Sequence, residues 1–208
     1  MEDKLNIKIA KLLLEINAIK LQPNDPFIWS SGIKSPIYCD NRILLSFPSH
    51  RNLVAKEIAN LISQKYKSVE TIAGVATGAI GIGLLVAEKL KLPFIYVRPE
   101  SKGHGRKNQI EGIIEKNKKV FVVEDLISTA NSSIKAIQAI KKAGMRVLGM
   151  SSIFTYELKI ATDNLKSESI DFFSLSNYST LIKVAKELNY INDDEIKTLA
   201  DWNTPTKI

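Results

Sequence analysis

The sequence predicts an α/β protein: a mainly parallel five-stranded sheet flanked by helices, with a small N-terminal subdomain. Three observations carry that reading. From residue 71 onward, short apolar runs alternate with longer stretches whose apolar residues recur at helical spacing, the order of strand–helix–strand units. The runs are continuous rather than alternating, as expected for strands covered on both faces. Finally, 208 residues with no internal repeat, low-complexity tract or long linker suffice for one domain with its own core.

The elements follow in order. Residues 4–20 carry Leu5, Ile9, Leu12, Leu13 and Ile16 at helical spacing and run into a loop with Pro23 and Pro26. Residues 27–42 hold the turn signals Ser30-Ser31-Gly32 and Ser35-Pro36 between short extended pieces. Residues 49–65 read as a helix with Leu53, Val54, Ile58, Leu61 and Ile62 on one side. Strands are expected at 71–76, 94–97, 120–123, 146–154 and 170–175, and helices at 80–90, 132–143 and 179–188. Residues 189–208 carry no interpretable motif. In a sheet of this kind ligands bind beyond the carboxyl ends of the strands, so the loops after 71–76, 94–97 and 120–123 matter most.

Composition narrows the partners. Hydrophobic residues make up 45% and charged residues 25%, the balance of an ordinary globular protein. No apolar run approaches the ~18 residues of a membrane span, and the first twenty residues mix acids and bases, unlike a secretory signal. The single cysteine, Cys39, allows neither an internal disulfide nor a cysteine-based metal site. A cytoplasmic location is the expectation. The net charge of +7 comes from 29 basic against 22 acidic residues, scattered apart from pairs such as Lys118-Lys119 and Lys141-Lys142. That pattern suits a solvated basic surface first, a site for a multiply charged small anion second, and a nucleic-acid stripe least.

The third strand runs into Glu124-Asp125-Leu126-Ile127-Ser128-Thr129-Ala130-Asn131-Ser132 and then a helix. Adjacent carboxylates at a strand end repel each other unless a ligand compensates, and sugar hydroxyls or a metal-bound sugar would do so. Small hydroxyl residues opening a helix expose backbone N–H groups at the positive end of its dipole, a cradle for phosphate. Together the two features span a ribose 5-phosphate. Taken singly, Asp125 is a loop acid and Ser128 or Asn131 a helix N-cap. Ala130 tolerates positive φ less readily than Gly, so the loop either avoids that conformation there or binds phosphate less well.

After the second strand, Arg98, Lys102, Arg106 and Lys107 are interleaved with Gly103, His104 and Gly105, followed by Ile110-Glu111-Gly112. Small residues permit mobility, and cations with a His supply donors for a diphosphate. An exposed hairpin with incidental basic residues is the bland alternative. The loop Gly74-Val75-Ala76-Thr77-Gly78-Ala79-Ile80-Gly81-Ile82-Gly83 could bring backbone close to a phosphate, but close helix–strand packing explains Gly81 and Gly83 equally well. Near the N-terminus, Phe27 and Trp29 precede Ser31-Gly32-Ile33-Lys34-Ser35-Pro36-Ile37-Tyr38-Cys39-Asp40-Asn41-Arg42. Read bare, this is a hairpin with Phe27 and Trp29 as core residues.

These three motifs, correctly ordered from about residue 5 to residue 190, resemble those of the orotate phosphoribosyltransferases, members of the type I phosphoribosyltransferase fold. The resemblance implies one domain over 1–208, with 1–45 forming a hood over the base. It implies transfer of the ribose 5-phosphate group of phosphoribosyl pyrophosphate (PRPP) to orotate in pyrimidine biosynthesis. By it, Glu124 and Asp125 hold the ribose hydroxyls, Ser128, Thr129, Ala130, Asn131 and Ser132 wrap the 5-phosphate, and Leu126 and Ile127 belong to the same PRPP-binding stretch. Arg98, Lys102 and His104 belong to PRPP, with Lys102, His104 and Asp125 in catalytic roles, and Ser128 borders the orotate. Mg²⁺ would be carried by PRPP rather than held in a protein cage. In the family the cationic loop reaches the neighbouring subunit's site, which implies a homodimer.

Five departures stand against the family pattern, the first being Ala130 and Asn131 where members commonly have two small, glycine-like residues. Pro99 replaces a frequent second basic residue, the Gly-rich loop lacks a Lys, and Ser30 stands where some members have a Lys. Phe154-Thr155-Tyr156 replaces a late Arg, leaving the orotate carboxylate to backbone groups, Arg42 or Lys34. A phosphoribosyltransferase for another base and a PRPP-sensing regulator without catalysis are the rival readings. The N-terminal Ser-Gly segment and the intact Lys102–His104 loop argue against them.

Overall fold

The computed structural model describes residues 2–29, 32, 34–99 and 109–202. Its centre is a sheet of strands β5 (Thr71–Val75), β6 (Phe94–Val97), β7 (Ile110–Glu111), β8 (Lys119–Ile127), β9 (Arg146–Thr155) and β10 (Phe172–Asn177). Their order is β10-β9-β8-β5-β6-β7, with every neighbouring pair parallel except β6–β7. The five expected parallel strands are therefore present, and β7 adds a sixth. Two residues at an edge are too short to show as an apolar run, which is why the sequence pattern passes over them.

Chain order reverses between β5 and β8. From β5 the chain moves outward through α3 (Ala79–Leu90) to β6, whereas β8, α4 (Asn131–Lys142), β9, α5 (Lys159–Ser167) and β10 move the other way. The crevice at this reversal is where α/β sheets bind ligands. The strand pattern has the expected period of two. Phe121 and Val123 join the core under α1 (Glu2–Glu15), α2 (Pro48–Lys65), α3 and α6 (Tyr178–Glu187), while Val120 and Val122 join the core under α4 and α5. Gly83 lies against the Gly74 Cα and the Phe94 ring, and Gly81 against Leu45, so close packing explains both.

Before the sheet, β1 (Ile19–Leu21) pairs antiparallel with β4 (Ile37–Cys39), and β2 (Phe27–Ile28) with β3 (Lys34–Ser35). Helix α1 stops at Glu15, earlier than its apolar spacing suggests. Asn17 takes φ 55°, the chain reverses, and Ile19 is drawn into pairing with Cys39. A 3₁₀ turn over Asn41–Ser46 then leads into α2, with Pro48 in its first turn.

The C-terminal segment forms α7 (Asp193–Trp202). Asn192 Oδ1 accepts from the Asp194 and Glu195 amides, and Glu195 Oε2 accepts from the Asn192 amide. This reciprocal capping starts the helix. At its far end Trp202 meets the rings of Trp29, Tyr156 and Tyr178 at 5.7, 5.8 and 5.3 Å, and its Nε1 donates to the Lys34 carbonyl at 3.3 Å. Trp29 stacks on Tyr156 at 5.1 Å. The last helix thus braces the N-terminal hairpins against the end of β9. Among the described residues, no helix is long and apolar enough to cross a membrane.

Trp202→Ala should cost about 3 kcal/mol of stability, the low end for a buried tryptophan, measured by urea unfolding. A loss below ~1 kcal/mol would show that α7 is not braced through this side chain.

Candidate active site

β8 outlasts β5. Their register ends at Gly74 opposite Val123, whereas β9 stays paired with β8 through Ile127 opposite Thr155. The strand therefore continues through the acid pair rather than ending at residue 123. Residues 124–127 form an overhang facing the crevice, with β9 on one side only.

The two acids of the overhang sit differently. Glu124 is 4% exposed. Its Oε1 accepts from the Asp125 amide at 3.0 Å and its Oε2 from Ser133 Oγ at 3.0 Å, in the first turn of α4. Burial, and then the charge of Asp125, push its carboxyl well above the ordinary 4.5. Asp125 is half-buried and lies over Gly78, where any Cβ would overlap its carboxylate. Glycine there lets the carboxylate rest at the start of α3, where the helix dipole favours an anion. Asn41 Nδ2 donates to the Asp125 backbone carbonyl at 2.7 Å.

Past the acids, the Ile127 side chain enters the α4–α5 core and Leu126 packs against the opposite one, so both are scaffold. Ser128 and Thr129 are half-buried, Asn131 and Ser132 exposed. Asn164 Nδ2 on α5 pins the loop by donating to the Thr129 carbonyl at 2.8 Å. Ala130 takes φ 66° and ψ 5°, the left-handed conformation, and supplies no side-chain cap to α4. The loop does not avoid that conformation, as one of the two sequence-based alternatives required. The turn needs a positive φ, and Ala adopts it where Gly would be easier.

Arg98 closes the base of the cationic loop. Its amide donates to the Gln109 carbonyl at 2.8 Å, Gln109 Nε2 returns a bond to the Arg98 carbonyl at 3.2 Å, and its Nη1 lies 3.7 Å from Glu111 Oε1. Lys102 and His104 lie outside the described residues. Near the hood, the Arg42 guanidinium is held by both oxygens of Asp40, at 2.7 and 2.8 Å, which keeps the Asp40 carboxyl below its usual range. Nε and Nη2 face Asp40, which leaves the Nη1 side of the guanidinium, on a side chain 58% exposed, open to a further acceptor. Phe154 and Tyr156 are buried, and burial raises the Tyr156 hydroxyl far above its ordinary value. Cys39, beside Asp125 and Asp40, is likewise held as the thiol, chiefly by burial.

Among the described residues no group of three or more His, Cys, Asp or Glu side chains could hold a metal. Asp125, half-exposed, offers one carboxylate that a divalent cation carried by a phosphate ligand would take as a partner. The sequence reading passed over Asn41, Ser133 and Asn164. Only Ser133, one turn into a helix that opens on a phosphate-type loop, carried any signal.

Residues 49–172 match the family model of the phosphoribosyl transferase domain. An orotate phosphoribosyltransferase of Staphylococcus saprophyticus is 52% identical over 93% of this chain and 96% of that protein. The chain belongs to the orotate phosphoribosyltransferase family. The orotate phosphoribosyltransferase structure from Aeropyrum pernix is 28% identical, with a TM-score of 0.76 over 88% of this chain and 99% of that one. The UMP synthase of Leishmania donovani is 26% identical, with a TM-score of 0.80 over 95% of this chain and 42% of that longer one. The family match spans α2 to the start of β10, including the overhang and the Gly78 turn. At 93–94% of the chain, the relatives' coverage takes in the N-terminal hairpins as well.

Glu124 binds its proton more tightly folded than unfolded, so stability falls as pH rises from about 4.5 through its raised value. Glu124→Gln, which mimics the protonated acid, should flatten that fall in thermal unfolding across pH; an unchanged slope would assign it to another group. At residue 130, Gly should be tolerated within about 1 kcal/mol, strain relief offsetting the lost methyl, whereas Val should cost ~2 kcal/mol. Urea unfolding of Ala130→Gly and Ala130→Val checks the order.

Proposed function

We infer that the protein transfers the ribose 5-phosphate group of PRPP to orotate, forming orotidine 5′-monophosphate and pyrophosphate in pyrimidine biosynthesis. The observation that carries this is the overhang of β8, with a half-exposed Asp125 at its base and the uncapped start of α4 at its tip. The first suits ribose hydroxyls and the second a 5-phosphate. Relatives named orotate phosphoribosyltransferase cover nearly the whole chain.

In the reaction the orotate ring nitrogen attacks the anomeric carbon and the diphosphate leaves. Positive charge grows on the sugar and negative charge on the leaving group. Asp125, with Glu124 behind it, holds the ribose hydroxyls and stabilises the developing positive charge. Ser128, Thr129, Ala130, Asn131 and Ser132 hold the 5-phosphate through the loop and first-turn amides, with Leu126 and Ile127 as their support. Ser128 borders the base. Arg98, Lys102 and His104 receive the diphosphate, and contacts that tighten as the bond breaks accelerate the step. Mg²⁺ bound to PRPP would supply further neutralisation of the diphosphate. The hydrogen on the orotate ring nitrogen leaves as the new N–C bond forms and is taken up by the departing diphosphate or by solvent, so positioning and charge stabilisation carry most of the step. Lys34, Arg42 through its open Nη1 side, or hood amides receive the orotate carboxylate. The protein works in the cytoplasm as a homodimer, the loop after Arg98 completing the partner's site.

The test is loss of orotate absorbance on mixing with PRPP and Mg²⁺, with hypoxanthine, adenine and uracil in parallel. Orotate alone should be consumed. Binding of PRPP without turnover of any base would favour a PRPP-sensing protein instead. Lys102→Ala should lower kcat by about 10²-fold while changing orotate binding little; equal losses in both would remove Lys102 from the leaving-group role.

A further inference from the structure

Asn41 is 2% exposed and lies in the hood, 84 positions from the residue whose carbonyl it binds. Its Nδ2 donates to the Asp125 backbone oxygen at 2.7 Å, and its Oδ1 accepts from the Cys39 thiol at 3.4 Å. That oxygen belongs to the overhang of β8, past the last residue that β5 pairs. A strand carbonyl that has outrun its neighbour still needs a donor when buried. The Asn41 amide supplies the bond that a longer β5 would have made.

The donor is itself held in place. Asp40 Oδ1 caps the 3₁₀ turn through the Arg42 amide at 3.1 Å and grips the Arg42 guanidinium, and the Asp40 amide donates to the Ala18 carbonyl at 2.8 Å. Asn41 therefore projects from a turn fixed on both sides. At its other end, the residue it touches carries the carboxylate resting on Gly78.

We propose that Asn41 is a positioning residue for phosphoribosyl transfer: it fixes the Asp125 segment from the hood, so that the ribose-binding acid and the cover over the base keep one spacing. The proposal rests on the functional reading above. It assigns Asn41 no contact with substrate; its effect passes through Asp125. A displacement of even 1 Å at such an acid is enough to cost about 10²-fold in rate.

A double-mutant cycle separates this from simple support of the fold. Asn41→Asp keeps the shape and the acceptor for Cys39 but removes the donor. The cycle pairs it with Asp125→Ala, reading the Kd for PRPP with Mg²⁺ by calorimetry and kcat/KM for PRPP with orotate. Asn41→Asp alone should weaken both by about tenfold or more; in the Asp125→Ala background it should change PRPP binding by less than about twofold. Equal losses in the two backgrounds, or none in the first, overturn the proposal. Asn41→Ala runs through the same cycle in case the buried charge prevents folding, and melting temperatures are taken throughout. A merely structural role would lower the melting temperature and weaken binding alike in both backgrounds. Wild-type protein that binds PRPP but leaves orotate unchanged would sink the functional reading, while the binding cycle still decides the role of Asn41.

Discussion

The pairing of β8 with β9 continues four residues, 124–127, beyond its pairing with β5, and the whole crevice is organised around that mismatch in length. A strand supported on both edges would have its carbonyls and amides consumed by the ladder. A strand supported on one edge holds its line through β9 and turns the other edge toward the crevice. The acid pair falls on the first two residues of this overhang. The loop that follows is only 128–130, short enough that α4 begins immediately beyond it. Rigid support on one side and access on the other is what a precise binding site needs.

The same geometry divides the labour between two chemically similar side chains. Alternation along the strand sends Glu124 toward α4, where Ser133 and the Asp125 amide occupy its oxygens. Asp125 is left against Gly78 with part of its surface open. Two carboxylates side by side in low dielectric would not both remain charged. Burial loads that cost onto Glu124, whose carboxyl is pushed up. A bound cation or a positively polarised sugar would relieve Glu124 in turn.

Much of this was legible in the residues, for identifiable reasons. Strands 71–75, 94–97 and 146–155 are apolar enough on both faces to show as runs, and the acid pair, hydroxyl loop and following helix form a pattern specific enough to place the crevice. What escaped was fixed by partners distant in sequence. β8 extends through Glu124 and Asp125, residues with poor strand propensity, because β9 continues beside them. Helix α1 gives way at Asn17 because Ile19 has a strand to join. Helix α7 did carry a local signal, the Asn192–Glu195 capping box, but its purpose is set by Trp202 reaching Trp29 and Tyr156. Asn41 is the clearest case. Nothing in Asp-Asn-Arg distinguishes a turn residue from a donor to a strand far along the chain.

Ala130 shows how a departure from a family pattern can be read physically. Its left-handed backbone lets the chain turn sharply from β8 into α4, so that the helix starts without a side-chain cap. A glycine would reach the same conformation with less strain but would leave the α4–α5 core without the methyl group of Ala130, a residue 3% exposed and packed there. Strain of roughly 1 kcal/mol is similar in size to the burial of one methyl group. The substitution therefore exchanges conformational ease for packing at little net cost, and the geometry of the turn survives. An irregular residue in a binding loop is better judged by the backbone it adopts and the neighbours it fills than by its distance from a consensus.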